Sequence, residues 1–230
     1  KKSDLTILAD DNRYEQHGLK TSLPNVMVLE NVPSVSTISS IKLKEISFPI
    51  NIGYFGVLEP NNRGLEDLVF AVQKHPNIML HVVGYGPLAD FMQTNSINYS
   101  NIKYYGSKTA EQGLEIMKNM DILVGMYYKT VKNHLFAAPN KYYEHLMLGR
   151  PLLTTEGIPP GLKVELNNTC WAISEGVDNL SQWLESLCDV DVILKKAENA
   201  ALLWINKYDD YYHTYYEGIY IRKIKNFLNV

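Results

Sequence analysis

The sequence predicts an α/β fold, a parallel sheet with helices on both faces. Two observations carry this reading. Short apolar runs alternate with amphipathic stretches almost throughout the 230 residues, and a repeated strand-then-helix order is what parallel sheets require, because each crossover needs a helix. The composition fits as well, with 46% hydrophobic and 20% charged residues, ordinary values for a globular protein.

Taken in order, the apolar runs place strands at 5–9, 26–29, 50–55, 78–83, 102–105, 122–124 and 151–154, with a short one at 171–173. Between them, helices are expected at 13–19, 64–74, 88–93, 110–119, 141–148 and 179–187. The Ser-rich stretch 31–47 breaks the rhythm and reads as a connector. Residues 1–40 are therefore expected to be a remnant of a preceding domain plus linker, and 41–190 a complete βα series. From 191 to 230 the chain reads as one or two long helices carrying six tyrosines. There Trp204, Tyr208, Tyr211, Tyr215 and Ile219 recur at helical spacing, which is expected to be a packing face rather than a stacking platform for bases or sugars.

Several function classes are disfavoured. A net charge of −3 leaves no electrostatic footprint for nucleic acid. The clusters Lys195-Lys196 and Arg222-Lys223 with Lys225 are short and read as solvated helix faces. No apolar run reaches the ~18 residues needed to cross a bilayer. Cys170 and Cys188 have no metal-ligand spacing, so a reducing, cytoplasmic setting is expected, with attachment to the inner membrane face open for a longer protein. The sequons at Asn98 and Asn167 are read as chance matches. The start at Lys-Lys-Ser, without Met, reads as an excised fragment.

In an open parallel sheet ligands bind at the carboxyl ends of strands, and three loops there hold candidate chemistry. The first runs from Gly53-Tyr54-Phe55-Gly56 to Arg63-Gly64. Gly56 lets backbone approach a ligand closely and Arg63 can neutralise a phosphate near a helix start; the alternative is a plain tight turn with a surface arginine. The second, Gly84-Tyr85-Gly86-Pro87-Leu88-Ala89, has the Gly-x-Gly-x-x-Ala form of a dinucleotide fingerprint. That form raises an NAD-dependent oxidoreductase as an alternative, but no acidic residue closes the next strand, which runs Ile102-Lys103-Tyr104-Tyr105. The third is Pro139-Asn140-Lys141-Tyr142-Tyr143-Glu144. A lysine in the first turn of a helix opposes the macrodipole and makes better sense with an anion nearby. Glu144, one turn on, could accept two ribose hydroxyls; the alternative is an ordinary Lys–Glu surface pair.

These loops, in this order, resemble the carboxyl-terminal domain of GT-B glycosyltransferases of the group 1 (family 4-like) type. The similar segments are 52–56 with Arg63-Gly64, 80–87, 101–106, 120–124, and Pro139-Asn140-Lys141 with Glu144 and Gly149-Arg150-Pro151. The resemblance implies a Rossmann-like donor-binding half of a two-domain enzyme, with the terminal helices packing back toward the amino-terminal domain. It implies retaining transfer of a sugar from a nucleotide-diphosphate sugar to a glycan or lipid-linked acceptor held by that other domain, with no metal and no further cofactor. The fragment alone is expected to be inactive. By position, Arg63 and Lys141 would be catalytic, stabilising the leaving diphosphate. Gly56, Gly84, Gly86, Asn140, Glu144 and His134 would contact the donor, Glu144 at the ribose and His134 at the sugar; a lone loop histidine has a structural reading too. One departure stands out: Phe136 occupies the place of a glutamate that the family often puts against the sugar. A non-catalytic nucleotide- or glycan-binding module is the reading that departure motivates.

Overall fold

A computed structural model describes residues 3–20, 23–34 and 45–228. Positions 35–44 of the expected connector lie outside the described residues. The main body is a six-stranded, all-parallel sheet in the order β5-β4-β3-β6-β7-β8. Its strands are β3 (Ile50–Val57), β4 (Ile78–Tyr85), β5 (Ile102–Tyr104), β6 (Ile122–Gly125), β7 (Leu152–Thr155) and β8 (Cys170–Ile173). Upstream, β1 (Thr6–Leu8) and β2 (Val26–Val28) form a separate parallel pair around the short helix α1 (Arg13–Gln16).

Strand period-2 alternation decides which side chains go to which face. In β3, Ile50, Ile52 and Tyr54 point into one core cluster with α2 (Leu65–Val72), α3 (Ala89–Asn98) and α7 (Val177–Glu185). Phe55 points to the other side, into a second cluster with α4 (Ala110–Met117), α5 (Asn140–Leu148), α6 (Pro159–Asn167) and α8 (Val190–Leu203). The sheet is thus covered on both faces, which explains the near-continuous apolar runs in its strands.

The chain builds β3, β4 and β5 outward in one direction, then returns to lay β6 on the free side of β3. This reversal leaves a crevice beyond the carboxyl ends of β3 and β6, where neither crossover covers the sheet edge.

Three elements differ from expectation. The helix α6 was not expected: Leu162 and Leu166 are exposed, so its apolar residues carry no core-facing period. A 3-10 turn at Lys132–Phe136 also carried no signal. Beyond α8 the chain continues through π-helical segments at Trp204–Tyr208 and Tyr212–Tyr220 into α9 (Ile221–Leu228). Trp204, Tyr208 and Tyr211 are buried against α5, but Tyr215 and Ile219 are about two-fifths exposed (40% and 41%). The wider π turns shift the phase of the stripe, so only its first part is a packing face. Among the described residues no helix is long and apolar enough to cross a membrane.

The amino-terminal piece is anchored through Glu30. Its backbone N–H donates to the Tyr211 hydroxyl at 3.0 Å, its carboxylate accepts from Tyr143 at 2.9 Å and its carbonyl from Tyr216 at 3.1 Å. Lys163 of α6 bridges Glu30 and Asp10. Residues up to 186 positions apart in sequence thereby hold the first strands beside the crevice.

Candidate functional site

The crevice is a cleft of about 730 Å³, open to solvent, walled by Gly56, Arg63, Tyr127, Asn140, Lys141 and Glu144 among others. Two pieces of chain more than 70 residues apart meet there: the turn after β3 and the first turn of α5. A Cβ added at Gly56 would lie 3.0 Å from Lys141 Nζ, so the ammonium sits directly against the Gly56 backbone. Gly56 also has φ +153°, a conformation that favours glycine.

Local sequence explains why α5 starts here. Pro139 holds the capping position in extended conformation and provides no side-chain cap. The first backbone N–H groups of the helix stay available at the cleft wall. Such a helix end favours anions.

Lys141 Nζ lies 4.5 Å from the centroid of Tyr54 and 5.9 Å from that of Phe55. Among the described residues it has no carboxylate within ion-pair distance. Burial depresses its pKa to about 8, with the Arg63 charge adding to that and Glu144 opposing it. Glu144 is partly buried, and burial raises its pKa while Lys141 pulls it down. The Arg63 guanidinium stacks over Tyr127 at 4.7 Å and its Nε donates to Glu59 at 3.0 Å. Tyr54, whose hydroxyl donates to the Val57 carbonyl at 2.7 Å, is pushed up to about 12 by burial. The floor is therefore neutral and aromatic, and the side walls carry two cations and one carboxylate. An anionic group fits between the cations.

Arg63, Lys141, Gly56, Asn140 and Glu144 all line the cleft. His134 lines an adjoining cavity that shares Arg63 and Tyr127. Its Nδ1 meets the Tyr128 carbonyl at 2.8 Å, and its ring packs edge-on against Tyr127. A carbonyl partner makes Nδ1 the donor and leaves Nε2 an acceptor. Burial, with help from Arg63, lowers its pKa and keeps the ring neutral.

Gly84 and Gly86 are not part of the cleft wall. A Cβ at Gly84 would lie 1.9 Å from the Gly56 carbonyl oxygen, and one at Gly86 2.8 Å from that of Leu58. Packing of β4 against the turn after β3 accounts for both glycines. Arg150, from the Gly149-Arg150-Pro151 segment, is buried and donates to the Lys118 carbonyl at 2.8 Å, so it ties α5 to the end of α4.

Sequence reading missed Tyr54, Phe55 and Tyr127 as the aromatic floor, and Arg13 and Asn133 in the adjoining cavity. For Arg13 a signal existed: it opens the helix that follows an expected strand, the same rule that found the other loops.

Neither a protein-family model nor a curated protein sequence matches the chain. Solved structures do. WaaG, described as a glycosyltransferase involved in lipopolysaccharide biosynthesis, matches with TM-score 0.65 at 19% identity, over 92% of this chain and 60% of that one. The C-terminal domain of LpcC, a glycosyl transferase group 1 family protein of Francisella tularensis, matches with TM-score 0.54 at 20% identity, over 69% of this chain and 86% of that one. The fold is one Rossmann-like half of the GT-B architecture. HepE of Anabaena, in complex with UDP-glucose, shares this GT-B architecture with TM-score 0.65 at 14% identity, over 91% of this chain and 61% of that one. The chain thus spans about three fifths of the length of WaaG and HepE, 60% and 61%.

Proposed function

We propose that the chain is the donor-binding side of a retaining, metal-independent hexosyltransferase, which moves a sugar from a nucleotide-diphosphate sugar to a glycan or lipid-linked acceptor on the cytoplasmic side of a membrane. One observation carries the reading: Arg63 and Lys141, from two distant segments, face one cleft beside the Gly56 backbone and the open start of α5. When the bond between anomeric carbon and phosphate oxygen breaks, negative charge grows on the departing diphosphate. Two fixed cations and helix N–H groups stabilise that charge without a divalent ion. Glu144, at the same wall, accepts hydroxyls of the ribose. The likeness to HepE, solved with UDP-glucose, supports a nucleotide-sugar ligand. In this reading the amino-terminal segment is a remnant of the acceptor-binding half and the terminal helices pack back toward that half, and without it the chain binds donor but transfers nothing.

Calorimetric titration with UDP, GDP and ADP tests the reading. One of the three is expected to bind, and Arg63→Ala or Glu144→Ala to weaken it by about tenfold or more. If neither this chain nor a longer protein containing it binds any nucleoside diphosphate, the proposal is wrong.

A further inference from the structure

Beyond Arg63 a second cavity of about 400 Å³, open to solvent, lies toward the amino-terminal segment, walled by Arg13, Arg63, Tyr127, Asn133, His134 and residues 137–139. It shares Arg63, Tyr127 and Pro139 with the cleft. A group seated in it is therefore contiguous with a diphosphate in the cleft, on the side away from Glu144.

The chemistry of this cavity is one-sided. Two guanidiniums face it, and among the described residues no carboxylate lines it. Arg63 already has Glu59; Arg13 has no carboxylate among the described residues. Arg13 Nη1 donates to Gln16 Oε1 at 2.9 Å, and Gln16 Nε2 donates to Asn133 Oδ1 at 3.1 Å. This bridge from α1 to the 3-10 turn fixes the guanidinium at the cavity wall. Around it, His134 Nε2 is an acceptor and the Asn133 amide a donor, a set that suits sugar hydroxyls.

We propose that this cavity receives the donor's sugar and that the sugar is acidic, a hexuronate whose carboxylate pairs with Arg13. The planar fork of a guanidinium matches a carboxylate in two parallel hydrogen bonds. Arg13 is then the specificity-determining residue, and it comes from the amino-terminal segment rather than from the sheet that holds the diphosphate. The inference rests on the adjoining cleft being the diphosphate site.

Matched pairs of donors test it on the chain by calorimetry: UDP-glucuronate against UDP-glucose, GDP-mannuronate against GDP-mannose and ADP-glucuronate against ADP-glucose, with UDP, GDP and ADP alone as references. For the base that binds, the uronate is expected to bind about tenfold tighter than its neutral partner. Arg13→Gln should bring that ratio to about one, and Arg13→Lys should keep part of it. Equal binding of the pair, with the nucleoside diphosphate still bound, overturns the acidic sugar while leaving the cleft reading intact. A preference that survives Arg13→Gln overturns the role of Arg13. Absence of any nucleotide binding removes both readings together. If Arg13→Gln fails to fold, which thermal melting reports, the ratio in the unmodified chain still decides the acidic sugar, and Arg13→Lys decides the role of Arg13: an undiminished ratio there overturns it.

Discussion

Two turns in this protein look alike in sequence and serve different ends. Gly56 stands at the carboxyl end of β3 and Gly84 at that of β4, and each strand is followed by a helix. Their φ values, +153° and +156°, are nearly the same. Around Gly56 stand Lys141, Arg63 and the open start of α5. Around Gly84 stand backbone groups of the neighbouring strands: its N–H donates to the Gly106 carbonyl at 3.0 Å, and its missing Cβ makes room for the Gly56 carbonyl. Leu58, in the first turn, donates to the Tyr85 carbonyl and accepts from Leu88 N–H. The second turn is thus a shelf on which the first one rests. A glycine after a strand says that something approaches the backbone closely. Whether that is a ligand or a neighbouring strand depends on the charges nearby, and these come from elsewhere in the chain.

The sharpest way to break the comparison is Gly84→Ala. A methyl group 1.9 Å from a carbonyl oxygen forces β4 away from β3, on top of the φ strain. A loss of about 2–4 kcal/mol in unfolding free energy is expected, read from urea denaturation. An unchanged stability would show that the second turn is not the support of the first.

The sheet was legible because its strands are buried on both faces, so each reads as an apolar run; six of the eight expected strands sit in the main sheet within a residue or two. The cleft was legible in part, because Arg63, Lys141 and Glu144 each sit at the start of a helix that follows a strand. What was hidden has physical causes. The helix α6 is held by contact rather than by pattern: a Cβ at Gly161 would lie 2.3 Å from the Thr155 carbonyl oxygen, so the helix is seated by backbone against backbone. The π turns leave no compositional mark, and one extra residue per turn was enough to bring Tyr215 and Ile219 to the surface. Gly84-x-Gly86 matched a ligand motif for a reason internal to the sheet.

Lys141→Met sharpens the comparison from the other turn. The first turn holds a cation that burial disfavours, so it is optimised for a ligand rather than for the fold. Replacing the ammonium by an apolar side chain of similar length should lower nucleoside-diphosphate affinity by about 30-fold, roughly 2 kcal/mol. The same substitution should raise Tm by about 2–4 °C. A variant that lost both binding and stability would place Lys141 in the scaffold, beside Gly84, and the distinction between the turns would fail.

The smallest effect is a pH dependence with two opposite signs. In the folded chain Lys141 titrates at about 8, below its ordinary 10.5. Between those values the unfolded chain binds the proton that the folded chain has lost, so this group makes the fold more stable as pH rises through the window. Binding goes the other way. From pH 7 to pH 9 the protonated fraction of a group with a pKa of about 8 falls from roughly nine tenths to one tenth, and a diphosphate, which only gains negative charge over that range, loses its partner. Affinity should therefore fall by up to about tenfold from pH 7 to 9, while this contribution to stability rises. Lys141→Arg, charged throughout, should flatten the binding profile. Calorimetry and thermal melting at the same pH values separate the signs: a buried cation that serves only the fold gives no reason for binding and stability to diverge, whereas one held ready for an anion requires it.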